Sequence, residues 1–211
     1  SDLGKTTTLA AATAALNEPT RKIISIEDPV EYQIAGVSQV QVNAGIGLDF
    51  AAGLRAFMRA DPDVLLVGEV RDRETAAVTV QAALTGHLVL TTLHTNSAAG
   101  SVVRLAEMGV EPYLLAATLR LSVGQRLVRQ LCRHCRTPDP VAVLPFDVTI
   151  QAMAGHRAGL PIQLWQANGC DQCGGTGYFG RAAIFEVLHI GESLRSAILK
   201  GAGTAALHQA G

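Results

Sequence analysis

The chain has 211 residues, 48% of them apolar and only 4% aromatic, with a formal charge of −1. That length accommodates one sizeable core and a small accessory unit, and the apolar content excludes wholesale disorder. The near-neutral charge removes any strong electrostatic case for nucleic acid or anionic membrane, and no apolar run approaches the roughly 18 residues of a bilayer span.

With so few aromatics the core rests on Ala, Val, Leu and Ile, which suits a parallel sheet buried between helices. Lys5 to Leu16 reads as an Ala-rich helix, and Lys22 to Ile26 as a short strand ended by acidic residues and Pro29. Val37 to Val42 alternates apolar and polar, as a half-exposed strand does. Phe50 to Ala60 is predicted helical and stops near Asp61-Pro62. Val64-Leu-Leu-Val67 has the pattern of a central parallel strand, Thr75 to Leu84 of a second Ala-rich helix, and Leu88 to Thr92 of a further buried strand. Helices are expected from Ser97 and from Pro112, the latter running to about Leu131. Residues 132 to about 180 differ, holding all four cysteines, many glycines and polar turn residues. Ala183 to Val187 returns as a strand, and short helices follow. Alternating strands and helices define an α/β layered fold. The expected divisions are a core over 1–131, a metal-held subdomain over 132–180, and a closing strand and helices over 181–211.

The first residues, Ser1-Asp-Leu-Gly-Lys-Thr-Thr-Thr8, contain the tail of the phosphate-binding pattern G-x-x-x-x-G-K-[ST]. In that pattern backbone N–H groups at a helix N-terminus face the phosphates. Lys5 would reach the β- and γ-phosphates, the Thr6 hydroxyl would ligate Mg²⁺, and Gly4 and Thr7 complete the candidate nucleotide set. The leading glycine and the strand that feeds such a loop are expected before Ser1. Taken alone, Gly-Lys-Thr is also an ordinary helix start with a lysine in its first turn.

The later motifs weigh more. Ile26-Glu-Asp-Pro-Val-Glu31 follows an apolar strand, and the carboxyl ends of strands are where α/β sheets bind ligands. A carboxylate there can orient or deprotonate water attacking a γ-phosphate; the plain alternative is a solvated acidic turn. In Asp61-Pro-Asp-Val-Leu-Leu-Val-Gly-Glu-Val-Arg-Asp72, an apolar strand delivers Glu69 to the position of an acid that holds Mg²⁺ through water, followed by Arg71 and Asp72. Thr85 to Ser97 places His87 before a strand and His94 after it, with Thr91, Thr92 and His94 available to sense a γ-phosphate. Arg55 and Arg59, four apart, share a helix face and can serve a neighbouring subunit's nucleotide or simply face solvent.

Cys132-Arg-His-Cys135 and Cys170-Asp-Gln-Cys173 form two C-x-x-C pairs with 34 residues between them. In a chain without a secretory signature, this pairing favours metal over disulfides. Two such knuckles complete a closed tetrathiolate zinc shell, which is structural because no coordination position stays open. The gap exceeds the roughly 15–20 residues of a zinc ribbon, so a longer excursion must loop out. His134 is a spare donor.

Together these blocks resemble the secretion ATPases of type II secretion and type IV pilus assembly, across essentially the whole chain. The resemblance rests on I-E-D-P-V-E-Y (Ile26 to Tyr32), L-R-A-F-M-R-A-D-P-D (Leu54 to Asp63), V-G-E-V-R-D-R-E-T-A (Val67 to Ala76) and T-G-H-L-V-L-T-T-L-H-T-N (Thr85 to Asn96). It implies a RecA-like P-loop NTPase core, N-terminally truncated here, with ATP, Mg²⁺ and Zn²⁺ as cofactors. It implies Glu27 as general base, Glu69 as the Walker-B acid, Arg55, Arg59 and Arg71 at the nucleotide interface, and His94 as the histidine-box residue. It further implies a hexameric ring that is cytoplasmic, held at the inner membrane through platform proteins, with no direct nucleic-acid contact. Pilus retraction ATPases look similar through the core but lack the tetracysteine insert. Gly109 to Leu115 followed by Gln125 to Cys132 looks closer to type II secretion than to pilus assembly.

Two positions depart from the family's T-G-S-G-K-T. Asp2 stands where a glycine allows close approach to phosphate, and Leu3 where a small polar residue belongs. A carboxylate facing phosphates repels them, and the family's N-terminal domain lies outside these 211 residues. Weak ATP binding by this stretch alone is therefore expected; tight Mg²⁺-dependent binding in titration calorimetry would overturn it. Two other readings stay open: a catalytically impaired structural subunit or fragment, and a nucleic-acid-linked P-loop ATPase, the latter disfavoured by low aromatic content and neutral charge.

Overall fold

Four short parallel strands organise the larger part of the chain in the computed structural model, which describes residues 4–139 and 164–211. They are β1 (Ile23–Glu27), β2 (Ser38–Gln41), β3 (Val64–Val67) and β4 (Leu88–Thr91), in the order β2-β1-β3-β4. All of β1 and β3 is buried, as expected where helices cover both faces of a parallel sheet. The register sets Ile26 beside Val67 and Val67 beside Thr91. Glu27, Gly68 and Thr92 therefore leave the sheet at one level, its carboxyl edge.

The helices are α1 (Lys5–Leu16), α2 (Phe50–Phe57), α3 (Arg73–Leu84), α4 (Ala98–Glu107), α5 (Pro112–Thr118), α6 (Glu192–Leu199) and α7 (Thr204–Ala210). Side-chain caps start three of them: Asp49 accepts from Ala52 N, Asp72 from Thr75 N and Ser97 from Gly100 N. Leu54 of α2, Ala76 and Ala82 of α3, and Ala99 and Val102 of α4 pack with Leu65 and Val67 in one core. Leu188, Ile190, Leu194, Ile198 and Leu207 from the C-terminal segment join it. Close approach of α2 to β1 requires Gly53, because a Cβ there would stand 2.2 Å from Ile26 Cδ1. Among the described residues no helix is long and apolar enough to cross a membrane.

Contacts divide the chain into two units, Ser1–Arg126 with Phe185–Gly211, and Leu127–Ile184. Strands β5 (Leu121–Leu131) and β8 (Tyr178–His189) pair as a two-stranded ribbon. Within the second unit, β6 (Thr137–Pro138) and β7 (Trp165–Gln166) pair antiparallel. There Arg129 stacks 4.0 Å over the Tyr178 ring and Arg136 4.6 Å over Trp165.

Three expectations need correction. The helix from Pro112 ends at Thr118 instead of reaching Leu131, and Leu121–Leu131 is a strand. Gly124 weakens a helix there, while pairing with β8 satisfies the backbone. The late strand starts at Tyr178 rather than Ala183. Finally, β4 is not fully buried: it is an edge of the four-stranded sheet, and Leu88 is 44% exposed.

Candidate nucleotide site and metal centre

Gly4 starts α1 with φ +68°, a left-handed conformation that glycine adopts without strain, and its carbonyl accepts from Thr8 N. Lys5 and Thr6 occupy the first turn, both half-buried. Lys5 Nζ donates to Leu93 O at 2.5 Å. Burial holds the Lys5 ammonium below its usual pKa; Arg126 acts in the same direction and Glu69 opposes it. Thr7 Oγ1 lies 3.1 Å from the Tyr32 hydroxyl, and Thr8 donates to Gln125 Oε1 at 2.8 Å. Asp2 and Leu3 lie outside the described residues.

Two carboxylates are buried at the carboxyl edge, Glu27 at 9% exposure and Glu69 at 8%. Carboxylates are seldom buried unless paired. Glu27 Oε1 accepts from Ser25 Oγ at 2.6 Å and from Gln39 Nε2 at 3.0 Å. Ser25 shares Glu27's face because side chains along a strand alternate. Glu69 has a partner on each oxygen: Oε1 pairs with the Arg71 guanidinium, and Oε2 lies 3.1 Å from His94 Nε2. Gly68 lets the two strands close here, since a Cβ would stand 3.3 Å from both Glu27 Cα and Ile26 O.

The remaining predicted residues separate into different jobs. His94 is in the cluster with Glu69, whereas His87 Nδ1 lies 2.9 Å from Ala82 O and 3.0 Å from Thr85 Oγ1, closing the end of α3. Thr92 donates to Gly68 O at 2.6 Å, and Thr91 to Thr92 O at 3.5 Å, so both hydroxyls bind backbone. Asp72 caps α3; the N–H of Thr75 holds its carboxyl below the usual range. Arg55 pairs with Glu74 at 2.5 Å, with both side chains exposed. Arg59 is exposed and forms no ion pair among the described residues. A cavity of about 370 Å³ opens beside the cluster, lined by Val70, Arg71, His94, Arg104 and Met108.

Sequence reading missed Ser25, Gln39, Arg104 and Arg126. Ser25 left a signal, a hydroxyl inside an otherwise apolar strand two residues before Glu27. The others carry no local mark; Arg126 Nη2, for instance, donates to Asn96 O at 2.7 Å across 30 residues of sequence.

In the second unit, the Sγ atoms of Cys132, Cys135, Cys170 and Cys173 all lie within 4.8 Å of one another, and no disulfide joins them. The Cys132–Cys170, Cys135–Cys173 and Cys170–Cys173 sulfurs stand 3.8–3.9 Å apart. A tetrahedral shell with Zn–S bonds of ~2.3 Å has sulfurs about 3.8 Å apart, so the four fit a zinc ion. Backbone N–H groups point at the sulfurs: Gly169 at Cys135, and Cys170 and Gly177 at Cys173. Gly177 is needed for its turn, at φ +74° and with no room for a Cβ beside Ala167. Burial pushes the Cys135 thiol up to about 11. Burial also acts upward on Cys173, but the N–H groups of Cys170 and Gly177 outweigh it and bring that thiol down to about 6. His134 is exposed and lies outside the cluster.

A parallel sheet between helices, a Gly-Lys-Thr helix start and buried carboxylates at the carboxyl edge define a RecA-like P-loop NTPase core. The chain belongs to the Type II/IV secretion system protein family, whose sequence model matches residues 3–210. It is 50% identical over 208 residues to the type II secretion system protein E of Klebsiella pneumoniae, covering 98% of this chain and 40% of that one. It is 47% identical over 212 residues to the type IV pilus assembly ATPase PilB of Myxococcus xanthus, covering 98% and 36%. The chain thus spans about two fifths of the curated relatives it matches. Among solved structures, the pilus retraction motor PilT with bound ADP superposes with a TM-score of 0.65 at 28% identity, over 98% of this chain and 49% of that one.

Proposed function

We propose that the chain is part of an ATP-hydrolysing motor subunit of a type II protein secretion system, or of the related type IV pilus assembly system. The observation that carries this reading is the convergence of two buried carboxylates, Glu27 and Glu69, with Lys5 and His94 at one sheet edge. PilT's bound ADP and the protein E and PilB relatives support it.

In this reading Gly4, Lys5, Thr6 and Thr7 bind the phosphates, with Lys5 leaving the Leu93 carbonyl to meet them. Thr6 and Glu69 would hold Mg²⁺, which would supply neutralisation of phosphate charge. Glu27, its orientation fixed by Ser25 and Gln39, accepts the proton of the attacking water. Arg71 and His94 meet the two oxygens of Glu69. They must turn away for Glu69 to serve a hydrated ion, and their exposed side chains, 63% and 72%, are free to turn. Turned toward the γ-phosphate, they would stabilise charge as it develops. Arg55 and Arg59 act across a subunit boundary in a hexameric ring. The tetracysteine unit over 132–180 holds zinc structurally. The ring works on the cytoplasmic face of the inner membrane, against membrane-embedded platform proteins.

The test is ATP hydrolysis by the whole protein with and without Glu69→Gln. Loss of kcat by about a hundredfold or more is expected; an unchanged kcat would refute the role of this edge.

A further inference from the structure

One carboxylate is placed where no local sequence signal calls for it. Glu186 on β8 sets Oε2 at 2.9 Å from the backbone N–H of Ala98, the first residue of α4. Gly124 on β5 makes the room: a Cβ there would stand 2.8 Å from Glu186 Oε2 and 3.1 Å from Ala98 N. Negative charge is favourable at a helix N-terminus, whose first N–H groups lack partners within the helix. Yet α4 already has a cap, since Ser97 Oγ accepts from Gly100 N at 3.0 Å. The other oxygen of Glu186, Oε1, is buried without a hydrogen bond, with His208 Nε2 3.7 Å away. A buried carboxylate oxygen without a hydrogen bond is unfavourable, so helix stability alone does not account for this placement.

What Glu186 holds is one end of the segment between β4 and α4, and His94 sits on that segment. Its carbonyls are held in turn: Leu93 O by Lys5 Nζ, Asn96 O by Arg126 Nη2 at 2.7 Å, and Ala98 O by Ser122 Oγ at 2.9 Å. Ala98 N goes to Glu186, and the His94 ring, between these fixings, meets Glu69.

We propose that Glu186 is a positioning residue of the nucleotide site, anchoring the downstream end of the His94 segment so that the imidazole is held at the sheet edge beside Glu69, from where it can turn to the γ-phosphate. Glu186 acts through the Ala98 backbone. The inference rests on reading Glu69 and His94 as parts of a nucleotide site.

Glu186→Ala and Gly124→Ala, made separately in the whole protein, disturb the contact from its two sides, while Glu186→Gln keeps an acceptor for Ala98 N. The two alanine variants are expected to lower kcat for ATP about tenfold with KM for ATP within about twofold. Both are also expected to move the NMR cross-peaks of the His94 imidazole at one fixed pH. Glu186→Gln should keep kcat within about threefold of wild type. Lower melting temperatures with unchanged kcat and unmoved His94 cross-peaks would reduce Glu186 to a helix cap and overturn the proposal. The NMR readout does not need turnover. Absence of hydrolysis in the wild type would defeat the functional reading, whereas undisturbed His94 cross-peaks in the variants would defeat this one.

Discussion

The two units hold their chemistry by different means. At the carboxyl edge of the parallel sheet, Glu27 and Glu69 are fixed by buried strands on their N-terminal side and by polar partners around them. In the cysteine unit the described pairings are one end of the β5–β8 ribbon and a pair two residues long on each side, and four thiols converge beside them. The first arrangement is prepared by apolar packing and leaves side chains free to re-aim. The second is a ligand set that fits a zinc ion, and an ion held by all four thiolates would suit a structural task and tolerate little motion at its centre.

Metal removal should separate them most sharply. Zinc contributes about 10–16 kcal/mol in small zinc-dependent folds. Chelation under reducing conditions, or Cys132→Ser, is expected to abolish hydrogen-exchange protection across Leu127–Leu131 and Tyr178–Ile184. Protection in β1 and β3 should persist. Equal loss in both units would erase the distinction, and so would protein that contains no zinc on elemental analysis.

In the sheet unit the corresponding weak point is packing. Leu65 is fully buried at the centre of β3. Leu65→Ala should cost about 2–5 kcal/mol in urea unfolding, without changing the zinc content. A cost below about 1 kcal/mol would mean that the site collapses around the lost side chain.

A smaller effect comes from the cap that follows Glu69. Asp72→Ala should cost about 1 kcal/mol. The folded-state pKa of Asp72 lies below its unfolded value, so its contribution is present above the ordinary aspartate range and is lost as pH falls through the folded pKa. The difference between wild type and Asp72→Ala should therefore shrink in acid, below about pH 4. A difference that grows on acidification would reverse the assigned sign.

The same contrast explains what sequence could reveal. Val64–Val67 and Lys5–Leu16 were legible because an apolar run and an Ala-rich stretch each point to one local structure. The cysteine cluster was legible because C-x-x-C spacing carries its own geometry. Leu121–Leu131 was not, since a Leu-rich segment after a helix start reads as more helix until a distant partner, β8, supplies its pairing. The settings of the acidic groups were partly hidden for the same reason. Ser25 shows beside Glu27 by strand alternation, but Gln39 reaches it only through the β1–β2 register, and Glu186 meets Ala98 across 88 residues of sequence. Groups that local structure positions can be read early; groups positioned by tertiary contacts cannot.

The most direct test of the central claim measures ATP binding and ATP hydrolysis together in the whole protein carrying Glu27→Gln. Glu27 is assigned to the attacking water and not to the nucleotide. Mg²⁺-dependent ATP binding should therefore stay within about threefold of wild type while kcat falls by about a hundredfold or more. Hydrolysis at the wild-type rate, or a loss of binding that matches the loss of rate, would contradict the account.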